Sequence, residues 1–573
     1  MPTTAEIRSQ MTGPGGAFEV VNETVGGIAM KVFKERFRAL RTVAEMGVGH
    51  GDERPFIVYG DRRIGFAEFL ARSNSVANHL RDDHRVTKGD RVAVLSANNP
   101  EWCLSFWATV DLGAILVGLN GWWKTDEIVY GLVDSGAKIL VADAKRFERI
   151  ADRLEELPAL EAVFLIDGDR SATDADARLH RFDELTGDPT PAFPDVDIDE
   201  DDPAVIFYTS GTTGKPKGAI STHRNMIANL QNTIFTTMVG AAAGTGGAIP
   251  ASDSGTQQAA LFTSPLFHVS GCHSTLVVGL LAGLKLVMPA GRFEPDTALQ
   301  LIEDEKVSIW ATVPTMVWRV CEHPGRHDYD TSTVKSVAFG GSPSADELQR
   351  KVRDTFPNVI STSNAYGLTE SSSVATVVSG QDAIDRPTSV GPPVPVVDLK
   401  IVGADGEELA TGTTGEVLLR GPIIMPGYWG KPEATAAAVQ DGWLRTGDLG
   451  HVDDDGFLYI TDRVKDMIIR GGENVYCVEI ENRLVEHPAI ADAAIIGVPH
   501  PSLGEEVKAV VQLEPGEQLT EADVRAWVAE ALADFKVPAY VELMSDKLPR
   551  NASGKLLKNV LRGEGEVSFA ETM

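Results

Sequence analysis

Short apolar runs alternate along this chain with longer segments in which apolar residues recur every three or four positions. Runs at 91–95, 114–117, 138–142 and 162–166 are rich in Val, Ile, Leu and Ala and have the length of buried strands. Between them, 101–112, 126–133 and 144–157 carry the helical period. Strands separated by single helices predict parallel sheets covered by helices, because parallel strands need a crossover and a helix usually supplies it. Another helix is expected after Thr222, whose hydroxyl would cap a face carrying Met226, Ile227, Leu230 and Ile234. Two stretches break the rhythm. Asp, Thr and Pro dominate 168–203, which reads as an exposed acidic connection; Gly, Ala and Ser dominate 239–258, which reads as a mobile loop.

The pattern changes after Asp462. A helical segment at 478–486 precedes apolar strands at 493–498 and 507–512, and 520–533 is an amphipathic helix with Thr520 as its cap and Asp523 in its first turn. This is a compact α+β unit of its own, so a domain boundary falls at 462–465. No internal repeat and no coiled-coil heptad is apparent.

Composition narrows the class of protein. The 573 residues suit several domains, and 43% hydrophobic with 23% charged residues is ordinary globular usage. The net charge of −30 (52 basic and 82 acidic residues) argues against nucleic-acid partners, whose phosphates would be repelled. It also means that any anionic ligand must find locally concentrated cations and N–H donors. The four cysteines, Cys103, Cys272, Cys321 and Cys477, are dispersed without metal spacing, and free buried thiols in a reducing compartment are expected. The first residues lack a basic stretch followed by an apolar one, and the longest apolar stretch, 276–284, is too short to span a bilayer. The expectation is a cytoplasmic protein without a transmembrane segment; a homodimer is one expected assembly.

The string Tyr208-Thr209-Ser210-Gly211-Thr212-Thr213-Gly214-Lys215-Pro216-Lys217-Gly218 follows the apolar run 204–207. Glycines permit tight turns, closely spaced N–H groups make concave anion sites, and hydroxyls and lysines add donors and charge. This is chemistry for holding polyphosphate. It is not the common nucleotide P-loop, because Gly214-Lys215 is followed by Pro216 and Thr209 stands where the first glycine would be.

That string resembles the phosphate loop of the adenylate-forming superfamily, which includes acyl-CoA synthetases, luciferases and the adenylation domains of peptide synthetases. Further segments match in order: Asn364-Ala365-Tyr366-Gly367-Leu368-Thr369-Glu370-Ser371, then Gly442 to Asp448, then Asp462 to Asp466, and finally Pro549-Arg550-Asn551-Ala552-Ser553-Gly554-Lys555. The resemblance implies an α/β fold. A large N-terminal domain (1–461) would hold parallel-type sheets covered by helices plus a β-rich subdomain. A hinge at 462–465 would lead to a small mobile α+β domain (466–573).

The resemblance also assigns roles. Thr209, Ser210, Gly211, Thr212, Thr213, Gly214 and Lys217 would cradle the β- and γ-phosphates of ATP. Gly341 and Ser342, after the apolar run 337–339, would border adenine, as would Asn364, Ala365, Tyr366 and Gly367. Thr369 would reach the α-phosphate and Glu370 would hold magnesium, a hard cation suited to a carboxylate. Asp448 and Arg463 would bind the ribose. Lys555 would stabilise the adenylation transition state. Lys465 would be the pivot, and Gly472 and Glu473 would line the path of coenzyme A. His268, in Pro265-Leu266-Phe267-His268, would stand beside the acyl carboxylate and gate that path; a carboxylate nucleophile needs no general base at neutral pH.

The implied reaction is ATP-dependent ligation of an acid to coenzyme A through acyl-AMP, with small molecules as the only partners required. The segments 267–281, 310–317 and 340–342 are mainly apolar or small, so an apolar acid is expected, with medium- or long-chain fatty acids ahead of alicyclic, steroid side-chain or aromatic acids. No carrier-domain segment follows Lys555 and no insertion separates Arg463 from Gly471, which favours free coenzyme A over a carrier protein as acceptor. A nucleotide-binding pseudoenzyme is the non-catalytic alternative.

Overall fold

The architecture is built from sheets whose strands are the short apolar runs of the sequence. It comes from a computed structural model that describes residues 3–167, 176–209, 215–244, 256–340, 346–471, 473–550 and 556–563. The first large sheet has seven strands in the order Lys217–Thr222, Pro203–Thr209, Ile115–Gly118, Arg91–Leu95, Ile139–Ala142, Ala162–Leu165, Leu179–Arg181. All its pairings are parallel except the first, an antiparallel hairpin at the edge. The second has eight strands, with Ser361–Leu368, Ser336–Gly340, Ile309–Thr312, Ala259–Leu261, Lys285–Met288 and Pro55–Tyr59 running parallel and an antiparallel strand at each end. Helices between the two sheets bring Trp102, Phe106, Trp107, Phe66 and Phe69 into one apolar core with Phe56, Val92 and Phe207 from the strands. These side chains are fully buried, which is why the flanking strands read as near-continuous hydrophobic runs.

A third, antiparallel sheet contains Asp398–Val402, Gly415–Arg420, Trp443–Val452 and Leu458–Arg463. A fourth follows Asp466 and is made of Ile468–Arg470, Glu473–Val475, Ile490–His500, Gly504–Leu513 and Tyr540–Met544, backed by the helices Cys477–Val485 and Glu521–Ala529. Thr520 caps the latter, its hydroxyl accepting from the Asp523 N–H, as the pattern predicts.

Some expectations need correction. The segment 144–157 is not one helix: Ala144–Phe147 is a single turn and Ala151–Glu156 is 3₁₀, two short pieces that lay Phe147 and Leu154 into the core. The helix after Thr520 stops at Ala529 rather than 533. The connection 168–203 contains a strand, Leu179–Arg181, and a 3₁₀ turn, Phe182–Thr186, because Leu179, Phe182 and Leu185 are apolar enough to be buried. The expected loop at 239–258 begins as helix: His223–Ala242 is capped by Thr222 and continues because Phe235 and Val239 pack on Ile7. Residues 245–255 lie outside the described residues. The four cysteines are buried and free. Among the described residues no helix is long and apolar enough to cross a membrane.

Candidate active site

The edge hairpin of the first sheet presents the polyphosphate string. Tyr208 stands opposite Gly218 and Thr209 opposite Lys217; Ser210, Gly211, Thr212, Thr213 and Gly214 lie outside the described residues. The base of the hairpin is anchored by half-buried polar contacts. The Tyr208 hydroxyl donates to Asp134 (3.0 Å), whose carboxylate also receives Lys431 Nζ (2.6 Å), and the Tyr130 hydroxyl donates to the Pro216 carbonyl (3.0 Å). Burial and the Asp134 charge push the Tyr208 hydroxyl's pKa up, so it stays protonated and donates. The Lys217 ammonium lies 4.7 Å from the centre of the Tyr428 ring, a cation–π contact that holds it beside the hairpin.

The strand Ser361–Leu368 of the second sheet carries Asn364, Ala365, Tyr366 and Gly367. The Tyr366 hydroxyl donates to Asp448 Oδ2 (2.7 Å) and Arg463 Nε donates to Asp448 Oδ1 (2.7 Å). Asp448 and Arg463 face one another in register on neighbouring strands of the third sheet, so cross-strand pairing sets their distance. Two residues from different sheets, Tyr366 and Arg463, thus meet on one buried carboxylate. Burial, then Asp448, raise the Tyr366 pKa, while Arg463 is pushed up by Asp448 against the opposing effect of burial. Asn364 is committed elsewhere, donating to the Ser389 carbonyl at 3.1 Å.

The strand ends in the turn Thr369–Ser371. Glu370 Oε1 accepts from the Tyr428 hydroxyl (2.9 Å), and the Glu370 carbonyl accepts from the Met425 N–H (2.9 Å). The chain then folds back sharply. Ser372 has φ 50° and Ser373 φ 117°, a region non-glycine residues avoid. A β-carbon on Gly367 would lie 1.6 Å from the Ser373 carbonyl oxygen, so only glycine fits there. A π-helical turn, Cys272–Val277, clamps this reversal: His273 Nδ1 meets the Ser372 carbonyl at 3.1 Å and Ser274 Oγ meets Ser373 Oγ at 2.6 Å. Burial lowers the His273 pKa to about 4, so the ring is neutral and its Nδ1–H is the donor to that carbonyl.

These groups line one cavity of about 1440 Å³. Its wall includes Thr209, Lys217, Asn364, Ala365, Tyr366, Gly367, Thr369, Glu370, Asp448 and Arg463. His268 also lines it, packed on Phe267 with ring centres 4.8 Å apart. His268 keeps some surface towards the cavity, yet protein surrounds it closely enough for desolvation to lower its pKa to about 4. It is therefore neutral at physiological pH. Glu481, Arg550 and Lys558 of the fourth-sheet unit close another side. Lys465 and Glu473 are exposed and are not part of the cavity wall. Partial desolvation of the Lys465 ammonium lowers its pKa, opposed by Asp466. Gly341, Ser342, Gly472 and Lys555 lie outside the described residues.

No group of three or more His, Cys, Asp or Glu side chains among the described residues could cage a metal ion. A single carboxylate, Glu370, in the same cavity wall as Lys217 fits magnesium, which is commonly held by one or two carboxylates and completed by substrate phosphates and water.

Sequence reasoning missed Tyr428, Asp134 and Lys431. Tyr428 touches both Glu370 and Lys217, and its signal was the run Pro426-Gly427-Tyr428-Trp429-Gly430, which places an aromatic residue in a glycine turn. Asp134 and Lys431 are 297 residues apart and carry no local signal.

With this geometry in hand, comparison with known proteins gives a consistent result. The family model described as AMP-binding enzyme matches residues 45–429, and that of the AMP-binding enzyme C-terminal domain matches 479–555. The chain is 34% identical to a feruloyl-CoA synthase of an Amycolatopsis species over 508 residues, covering 88% of this chain and 94% of that protein. It is 33% identical to the long-chain-fatty-acid–CoA ligase FadD13 of Mycobacterium tuberculosis, covering 88% and 93%. It superposes with a TM-score of 0.74, at 30% identity, on o-succinylbenzoate coenzyme A synthetase (MenE) of Bacillus subtilis in complex with ATP and magnesium, covering 90% of this chain and 98% of that one.

Proposed function

The chain belongs to the AMP-binding enzyme family, and from that premise we propose that it joins a carboxylic acid to coenzyme A through an acyl-adenylate. The observation that carries this reading is the convergence of Tyr366, Asp448 and Arg463 on one side of a cavity whose wall also holds Thr369, Glu370 and Lys217.

The first step joins two anions, so catalysis is charge neutralisation and positioning. A carboxylate oxygen of the acid attacks the α-phosphorus of ATP, the bond to the bridging oxygen breaks, and pyrophosphate leaves with the electron pair. Lys217 and the hairpin backbone would hold the departing phosphates. Thr369 would donate to the α-phosphate. Both Asp448 oxygens are engaged by protein donors yet keep further lone pairs, which would accept from the ribose hydroxyls. Glu370 would hold magnesium, whose charge offsets that of the phosphates when bound. Lys555 would supply the cation at the reacting centre. In the second step the coenzyme A sulfur attacks the acyl carbonyl, its proton passes to solvent, and AMP leaves. A neutral His268 suits a gating role, since neither step requires its proton.

The acid we propose has an apolar body. Leu261, Val269, Val278, Leu284 and Ile309 in the cavity wall support this reading. Relatives named for feruloyl and for long-chain acyl substrates leave aryl and alkyl bodies both in range. The test is pyrophosphate release from ATP and magnesium over a panel of alkyl and aryl acids, with acyl-CoA identified by mass spectrometry and hydroxylamine used to trap adenylate. Acid-dependent release and CoA-dependent thioester are expected. Release independent of acid, or none over the whole panel, rules the reading out.

A further inference from the structure

The helix His223–Ala242 carries a polar stripe through a buried position, and its members are used unequally. Asn225 donates to the Pro422 carbonyl (2.7 Å) and the Ile424 carbonyl (3.0 Å). Asn229 accepts from the Val374 N–H (3.2 Å); its amide nitrogen has no partner, but it stands outside the cavity wall. Thr233, Thr236 and Thr237 satisfy their hydroxyls on carbonyls one turn back. Asn232 differs. It lines the cavity, it is fully buried, and neither its amide nitrogen nor its amide oxygen has a partner. Across the same cavity wall Thr315 Oγ1, at the start of the helix Pro314–Cys321, is buried and unpartnered too.

A buried amide with both ends unsatisfied is costly, and a leucine would fill the same helix position without that cost. The amide is therefore best accounted for by a ligand that supplies its partner. The chemistry of that ligand follows from what is free. Of the charged residues in the cavity wall, Arg319 is paired with Glu294 and Glu322 with Lys351. The Asn232 amide is itself a neutral donor–acceptor, and the matching group is a hydroxyl, which both donates and accepts. Resting on the ligase reading above, we propose that the acid carries a hydroxyl group on its apolar body and that Asn232 recognises it.

A hydroxylated aryl acid and a hydroxylated alkyl acid share this chemistry, and paired substrates separate them. The wild-type protein is assayed with para-hydroxycinnamate against cinnamate and with ω-hydroxydodecanoate against dodecanoate, reading kcat/KM for acid-dependent pyrophosphate release. A preference of at least tenfold for the hydroxylated member of one pair is expected, because the unhydroxylated member leaves the amide unpaired. The favoured pair identifies the body. In Asn232→Leu that ratio should fall by at least tenfold, and Asn232→Gln should restore part of it. Equal or better use of the unhydroxylated member in both pairs overturns the proposal and leaves the amide to an ordered water. So does turnover of other panel acids with neither hydroxylated compound used, or an unchanged ratio in a folded Asn232→Leu protein. Absence of acid-dependent release from every acid instead removes the ligase reading on which the proposal rests.

Discussion

Asp448 and Asp111 are both buried aspartates, and their surroundings give them opposite character. Asp448 receives a tyrosine hydroxyl and a guanidinium and remains a usable acceptor. Asp111, at the end of the helix Pro100–Asp111, has no partner on either carboxylate oxygen; the nearby Arg41 reaches its backbone carbonyl instead. Burial raises the Asp111 pKa to about 8, with Arg41 pulling down and Glu45 pushing up. A folded-state value above the unfolded one makes the native state hold the extra proton. Stability is therefore greatest below the unfolded pKa of about 3.9 and declines as pH rises towards 8, by on the order of 5 kcal/mol over the window. Asp111→Asn removes this titration. Its unfolding midpoint should exceed the parent's slightly near pH 5 and by several degrees more near pH 8.5; an excess that does not grow between the two pH values would contradict the assignment.

At the scale of elements, the π-helical turn Cys272–Val277 and the reversal at Ser372-Ser373 form one device. Strained backbone persists only where its surroundings overdetermine it, and here His273, Ser274 and Ser221 all hold the reversal. The reversal in turn sets where Thr369 and Glu370 sit. His273 is thus a positioning residue for the turn, not a participant in the chemistry. His273→Ala leaves the buried Ser372 carbonyl without its donor. It should lower kcat for adenylation by roughly ten- to a hundredfold, in line with misplacement of catalytic groups, while KM for ATP changes less. His273→Gln, which keeps an N–H, should recover part of the loss. A rise in KM with kcat intact, or no rescue by glutamine, would show that the contact serves stability alone.

At the scale of the whole molecule, the cavity exists because three sheets and a separate α+β unit meet at it. That unit is tied back at the boundary residues. Asp462 accepts from the Cys477 N–H at the start of the helix Cys477–Val485, and Arg562 reaches Asp466 at 3.2 Å. Burial raises the Asp462 pKa to about 6 although Lys558 opposes it. The acid must meet ATP in the first step and a large thiol in the second, and movement of the small unit about 462–465 is our proposed solution to that change of partner. The two half-reactions should then separate by mutation. Lys465→Pro restricts the pivot and should lower acyl-CoA formation at least tenfold while acyl-AMP still accumulates. Lys555→Ala should do the reverse, abolishing acyl-AMP formation and sparing thioester formation from supplied acyl-AMP. Equal loss of both steps in either variant would sink the two-position scheme.

Much of this was legible in the chain itself. Strand runs, the Thr222 and Thr520 caps and the α+β unit after 462 follow from local rules, side-chain period and capping hydroxyls, while the ordered motifs were legible as a family resemblance. Those rules fail where packing outweighs propensity, as in the broken segment 144–157 and the helix that runs on to Ala242. They cannot see Tyr428 against Glu370, Lys431 against Asp134, or an asparagine with nothing to bind inside a cavity. Such facts depend on distances between residues tens to hundreds of positions apart, and only the packed sheets bring them together. The sequence by itself determined which chemical groups were available. The tertiary structure decided which of them meet, because hydrogen bonds and burial act over a few ångströms of space and not along the chain.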